Sequence, residues 1–170
     1  MSLSEVFSSV SVVIAIASFF TAIYQAKATR EHNSLSTRPL LDCSTLIPQT
    51  GALQIILHNH GLGPAIIEGV YINYKGRTYS QNIKSEAAAL TNLLYKDNEY
   101  HIGITTISAP SPIRADGEIT LFSFTQPLDG EKNHFLEEKQ LDSISNLGVI
   151  VKYKSIYNEK FELQYKPTND

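Results

Sequence analysis

The chain has 170 residues, of which 42% are hydrophobic. Its net charge of −3 and its isoelectric point near 5.9 argue against binding to duplex nucleic acid, which attracts proteins with an excess of positive charge. The single cysteine, Cys43, excludes an internal disulfide framework and a zinc site with several cysteine ligands. Apolar neighbours indicate that Cys43 is a small buried residue and not a nucleophile.

A mostly apolar stretch covers residues 6–26, with no charged residue between Glu5 and Lys27. As a helix it would be about 30 Å long, close to the thickness of the hydrocarbon core of a bilayer. A cleaved signal peptide, a buried core helix and a retained transmembrane helix all fit such a stretch. Residues 1–5 contain no Lys or Arg, unlike the start of a signal peptide, and buried helices are usually shorter. The sequence therefore predicts a single transmembrane helix.

Basic residues follow this stretch and do not precede it: Lys27, Arg30 and Arg38 all lie on its C-terminal side. The positive-inside rule then places the rest of the chain in the cytoplasm, as the C-terminal domain of a single-pass protein. We expect the polar residues 27–38 to continue the helix briefly. The predicted division is a membrane anchor with a juxtamembrane linker, residues 1–38, and a β-rich domain, residues 39–170.

Small and polar residues recur along the predicted anchor at spacings that alternate between four and three. This seam consists of Ser4, Ser8, Ser11, Ala15, Ser18, Ala22 and Gln25. In lipid, small residues allow helices to approach closely and polar residues form hydrogen bonds between helices, so the seam favours a parallel homo-oligomer. The alternative is a lone helix whose serines bond to the carbonyls of the preceding turn.

Short segments typical of β-strands, separated by turn signals, fill most of the remaining chain. Predicted strands cover residues 39–47, 53–58, 65–74, 77–79, 100–107, 118–124, 148–157 and 160–165. We expect Lys75 and Gly76 to form a hairpin turn and residues 109–112, with two prolines, to form an unpaired loop. Residues 84–95 and 131–146 have the periodicity of helices. The pattern predicts a mainly β fold, a β-sandwich or open β-barrel with two short helical insertions.

Sequence motifs of catalysis are missing: there is no HExxH, no Walker A loop, no paired CxxC and no Ser-His-Asp signature. We therefore expect no enzymatic activity and no cofactor. Residues 59–64 contain two glycines but lie between two strands, so they do not form a dinucleotide-binding turn, and the glycines are expected to supply positive φ angles. His58 and His60 lack a third ligand nearby, which favours ligand contacts by His58, Asn59 and His60 over a metal site.

A second group of candidate ligand-binding residues surrounds the predicted hairpin: Lys75, Arg77, Tyr79 and Lys84. Arginine offers a planar fork to a phosphate, lysine a point charge, and tyrosine a ring on which a base can stack. A solvated hairpin tip is the alternative. If the seam assembles parallel copies, the hairpin recurs around an axis and its cations converge on one multiply charged ligand. Lys152 and Lys154 form a second basic patch.

Two segments carry a resemblance to known proteins. Residues 30–40, just after the anchor, and residues 59–65 together resemble a widespread set of small bacterial membrane-anchored β-domain proteins. In architecture the chain also resembles the membrane-anchored accessory effectors of type III CRISPR systems. That resemblance implies an antiviral effector of the bacterial inner membrane whose cytosolic domain binds cyclic oligoadenylate. The alternative class is a non-enzymatic membrane scaffold whose β-domain docks a protein partner.

Overall fold

The computed structural model of the chain describes residues 2–46, 53–98, 101–125 and 146–167. The chain divides into two compact units, Met1–Thr37 and Arg38–Asp170. The first unit is a single apolar helix, and the second is built from antiparallel β-sheets.

The N-terminal helix, α1, runs from Leu3 to Ser36. It is the one helix among the described residues that is long and apolar enough to cross a membrane. Large apolar side chains such as Phe7 and Phe20 are exposed along it. The polar continuation is longer than the brief extension predicted from the sequence, and it ends where the amide and hydroxyl of Thr37 both donate to the carbonyl of Asn33, at 3.2 and 2.8 Å.

Hydroxyl groups along α1 bond to the helix itself. Ser11 Oγ donates to the carbonyl of Phe7 at 2.9 Å, and Ser18 Oγ donates to the carbonyl of Ile14 at 2.8 Å. Both serines belong to the seam, and these are the bonds expected of a lone helix in lipid. Association through the seam therefore stays a prediction.

The second unit contains nine described strands and one described helix. They are β1 (Leu41–Leu46), β2 (Leu53–Asn59), β3 (Ala65–Tyr74), β4 (Arg77–Ser80), α2 (Lys84–Asn98), β5 (His101–Ile104), β6 (Ser111–Ile113), β7 (Glu118–Thr125), β8 (Leu147–Lys154) and β9 (Lys160–Tyr165). One sheet has the order β1-β2-β7-β5, which we call sheet A. Sheet B has the order β4-β3-β8-β9, and β6 pairs with the beginning of β3.

Both sheets contribute to a single hydrophobic core. Side chains alternate between the two faces of a strand, so every second residue of β8, from Leu147 to Tyr153, is buried. Leu57 from sheet A and Val151 from sheet B are fully buried members of the same cluster, as is Leu90 of α2. This shared core explains the apolar alternation that the sequence shows.

The hairpin predicted at Lys75 and Gly76 is confirmed, and the last two predicted strands form a second one. Tyr74 pairs with Arg77 across the turn at Lys75 and Gly76, and β8 pairs with β9 from Lys154 and Lys160 onward. Lys75 and Gly76 both have positive φ, 48° and 77°. Two consecutive positive φ angles define the turn type that matches the twist of two antiparallel strands.

The predicted unpaired loop at residues 109–112 is wrong in part. Ser111–Ile113 forms β6, and Pro112 lies opposite Ile66 of β3. Proline is tolerated there because β6 is a short strand at the edge of its sheet. The strand predicted at residues 100–107 is shorter, His101–Ile104. The second predicted helix, residues 131–146, lies outside the described residues except for Asn146, which is in a turn.

In the described part of the chain, one buried side chain has no hydrogen-bonding partner. Gln81 is fully buried, and neither its Oε1 nor its Nε2 forms a hydrogen bond. An unpaired buried amide destabilises a fold by roughly 1–3 kcal/mol. We therefore expect Gln81→Met, which preserves the side-chain length, to raise the free energy of unfolding by about 1 kcal/mol in urea denaturation of the full-length protein in detergent.

The control for this prediction is Gln164→Met. Gln164 is exposed and donates to Glu162 Oε1 at 2.7 Å, so its replacement should change stability by less than about 0.5 kcal/mol. If Gln81→Met lowers the stability instead, the amide must be satisfied in solution by an ordered water.

Candidate functional site

Apart from Lys84 at the start of α2, the candidate ligand-binding residues lie in two groups at opposite ends of β3. Asn59 Nδ2 donates to the carbonyl of Ile113, and Ile113 pairs with Ala65 at the start of β3. Arg77 pairs with Tyr74 at the end of β3. A strand of 10 residues is about 30 Å long, so one small ligand cannot contact both groups in one chain.

A cleft of about 560 Å³ opens beside the first group. Its charged and titratable lining residues are His58, His60, Arg114, Asp116 and Glu118. The one guanidinium faces two carboxylates, so the cleft does not have the uniformly positive lining that favours a polyanion. Among the described residues, no group of three His, Cys, Asp or Glu side chains is placed to hold a metal ion.

Arg114 and Asp116 were not predicted as site residues. They enter the cleft because β6, which the sequence did not predict, carries the chain to the start of β7. The one signal available in the sequence was the Asp116-Gly117 turn. Asp116 adopts a positive φ of 54°, which asparagine and aspartate tolerate better than most residues.

Both polar atoms of the Asn59 side chain form hydrogen bonds within the fold. It is almost fully buried, and its Oδ1 accepts from the amides of Leu40 at 3.2 Å and Gly61 at 3.1 Å. Its Nδ2 donates to the carbonyls of Gly63, Ile113 and Arg114, at 2.9, 3.2 and 3.0 Å. The ligand contact predicted for Asn59 would require breaking these bonds. The amide instead fastens three separate segments of the chain together.

The glycines of residues 59–64 do not have the positive φ angles that we predicted. Among described glycines, only Gly76 has a positive φ. Gly61 is required for a different reason, since a Cβ there would lie 2.5 Å from the carbonyl oxygen of Arg38 and 2.6 Å from the Cα of Pro39. The missing side chain lets two stretches of backbone touch.

His58 and His60 have different surroundings. The Nε2 of His58 lies 3.1 Å from Ser44 Oγ, and its Nδ1 lies 3.4 Å from Glu118 Oε2. Both ring nitrogens of His58 therefore have partners within the protein. His60 is exposed and its ring stacks on that of His58, with centroids 5.6 Å apart and planes 16° apart. Of the three residues predicted at this end, His60 is the most exposed.

At the other end of β3, the hairpin presents exposed cations. Lys75 and Arg77 are exposed at the tip, and the ammonium of Lys75 lies 5.4 Å from the centre of the Tyr74 ring. Tyr79 packs against the core, which leaves less of its ring for the stacking that we predicted. Lys84 is exposed at the start of α2, beyond the end of β4 that is farthest from the tip.

The second basic patch is neutralised by neighbouring carboxylates. Lys154 Nζ lies 3.2 Å from Glu68 Oε1, and Lys152 Nζ lies 4.0 Å from Glu162 Oε2. Among the described residues Arg77 forms no such ion pair. The hairpin tip is therefore the better candidate for binding an anion.

Cys43 is buried in the core, as predicted. Burial, with a smaller contribution from the charge of Asp42, raises the pKa of its thiol from 9.0 to about 12. The thiol is therefore protonated at neutral pH, which makes it a poor nucleophile.

Known proteins give no further guidance on this site: no protein-family model matches the chain, and a search of curated proteins finds no relative.

Proposed function

We propose that this protein is a membrane-anchored ligand-binding effector whose β-domain binds a cyclic oligonucleotide as an oligomer. The proposal rests on the exposed cations of the hairpin, above all Arg77, which carries no ion pair among the described residues. A guanidinium without a carboxylate partner is available for a bidentate contact with a phosphate. The two-residue turn holds the strand that carries it in a fixed register.

In this proposal α1 spans the bacterial inner membrane and the second unit, with its two sheets packed as a β-sandwich, is cytosolic. The exposed apolar side chains of α1 support a lipid-facing surface. Lys27 and Arg30 follow the apolar stretch, which supports the cytoplasmic orientation. The apolar face of a soluble helix would instead be covered by protein.

Assembly through the seam explains how so few cations could hold a highly charged ligand. Parallel copies packed along Ser11, Ala15 and Ser18 would repeat the hairpin around a common axis. Each copy then contributes one set of cations to a symmetric ligand. The ligand class comes from the architectural resemblance to effectors of antiviral defence. The signal would require the ligand to bind two assembly states with different affinity.

The test is binding of cyclic oligoadenylates to the full-length protein in nanodiscs, measured by calorimetry beside linear oligoadenylates of equal length. We expect one cyclic species to bind with several chains per ligand, and more weakly as the salt concentration rises. Arg77→Ala should weaken binding at least tenfold, because a charge-assisted hydrogen bond contributes roughly 1.5–3 kcal/mol. Lys160→Ala, which removes an exposed lysine of β9, is the matched control and should leave the affinity unchanged.

Two results would overturn the proposal. One is the absence of binding to every cyclic and linear species. The other is binding that Arg77→Ala and salt do not affect, which would place the ligand elsewhere. The first result leaves the scaffold that docks a protein partner as the remaining class.

A further inference from the structure

Three polar side chains lie in a row across sheet A: Ser44 on β1, His58 on β2 and Glu118 on β7. His58 on β2 lies directly opposite Glu118 on β7 and Asp42 on β1, and Ser44 is two residues from Asp42, on the same face. His58 Nε2 is 3.1 Å from Ser44 Oγ, and His58 Nδ1 is 3.4 Å from Glu118 Oε2. The row therefore runs from a hydroxyl through an imidazole to a carboxylate.

The chemistry of this row depends on which group faces each ring nitrogen of His58. In serine hydrolases the hydroxyl meets one ring nitrogen of a histidine and the carboxylate meets the other, and this arrangement recurs on unrelated folds and in any chain order. A carboxylate at Nδ1 favours the tautomer with a proton on that nitrogen. The lone pair of Nε2 is then directed at the hydroxyl of Ser44.

The neighbours of His58 hold the ring in this position. His60 stacks on it nearly in parallel. The other carboxylate opposite His58, that of Asp42, accepts a hydrogen bond from the amide of Cys43 at 2.8 Å. Arg114 and Asp116 line the same cleft as His58 and Glu118. Of these carboxylates, it is that of Glu118 that contacts the imidazole.

We propose that Ser44 is a nucleophile activated by His58, with Glu118 as a positioning residue, and that it accepts acyl groups from carboxylic esters. Ser44 Oγ forms a bond to the acyl carbon while its proton passes to His58 Nε2. The ester C–O bond then breaks, and the leaving alcohol takes that proton. Water attacks the acyl group on Ser44 and gives a proton to His58, which returns it to the Ser44 oxygen as the carboxylic acid leaves.

The rate increase expected from His58 is that of general-base catalysis. A positioned base accelerates such a step by about 10²–10⁴-fold. The sequence contains no motif for this arrangement, because the three residues come from three strands and meet through the strand register alone. The proposal goes beyond ligand sensing at the hairpin and does not depend on it.

The test is labelling of the full-length protein in detergent with a fluorophosphonate probe, followed by peptide mass spectrometry. We expect labelling of Ser44 and hydrolysis of p-nitrophenyl acetate, both lost in Ser44→Ala. His58→Gln should slow labelling at least 100-fold. Glu118→Gln should slow it about tenfold and shift its pH profile, a readout that a purely structural role would not move.

Ser108→Ala and His32→Gln are the controls, since both remove exposed side chains outside the row. They should leave labelling and hydrolysis unchanged. The proposal is overturned if the probe does not label Ser44, or if His58→Gln and Glu118→Gln are labelled at the rate of the wild type. Glu118 is largely exposed, so its variant keeps the test decisive even if His58→Gln does not fold.

Discussion

Asn59→Ala should lower the free energy of unfolding by about 4 kcal/mol, a large fraction of the stability of a typical domain. The substitution removes every bond of the buried amide and leaves two backbone amides and three carbonyls without their partner. Urea denaturation of the full-length protein, followed by tyrosine fluorescence, measures the effect. The chain has nine tyrosines and no tryptophan, so this signal reports mainly on the β-domain.

Asn59→Asp tests the acceptor and the donor of that side-chain amide separately. The carboxylate keeps an acceptor for the amides of Leu40 and Gly61, but it directs a second oxygen at three carbonyl oxygens. We expect it to be at least as destabilising as Asn59→Ala at neutral pH. Asn73→Ala is the control, because Asn73 lies on β3 beside the hairpin turn and its Oδ1 accepts from Thr78 Oγ1 in an exposed pair. If Asn59→Ala costs less than about 1 kcal/mol, the amide does not fasten the three segments.

Gly61→Ala should lower the free energy of unfolding by about 3 kcal/mol, because the new methyl group meets backbone atoms on the neighbouring segment. Backbone atoms of Arg38 and Pro39 cannot rotate away as the end of a flexible side chain can. Separation of the 38–40 segment from residues 60–64 is the expected consequence. The same urea titration measures the loss.

Gly103→Ala is the matched control for Gly61→Ala. A Cβ at Gly103 would lie 3.7 Å from the Cβ of Ser123, an ordinary van der Waals contact. We expect its effect to be within about 0.5 kcal/mol of zero. Equal effects of the two substitutions would show that the close approach at Gly61 relaxes in solution.

Local signals predicted most of the β-strands. The hairpin at Lys75 and Gly76 was predictable because the turn residues and the flanking alternation agree. The position of β6 was not predictable, because the prolines of residues 109–112 argue against strand pairing. A proline can be part of a strand only at the edge of a sheet, where β6 lies. Propensity reports on a segment alone, whereas pairing depends on where the sheet places it.

The candidate functional residues were harder to predict for the same reason. The sequence indicated His58 and His60, but the partners of His58, Ser44 and Glu118, lie on two other strands. Asn59 was predicted to contact a ligand because its burial cannot be seen from the neighbouring sequence. That burial depends on Ile113 and Arg114, which are far away in the chain. The hairpin cations were predictable because they are neighbours in sequence.

The order of the strands also determines when this domain can fold during synthesis. β2 pairs with β7, and β3 pairs with β8, so neither sheet can form completely until most of the chain has left the ribosome. Contacts between residues so distant in sequence slow folding into the millisecond-to-second range. The emerging chain therefore exposes the apolar faces of β2 and β3 for much of translation, while α1 is already free of the exit tunnel. α1 thus emerges before the domain can fold, and the nascent chain is most prone to aggregation in the interval before β7 and β8 emerge.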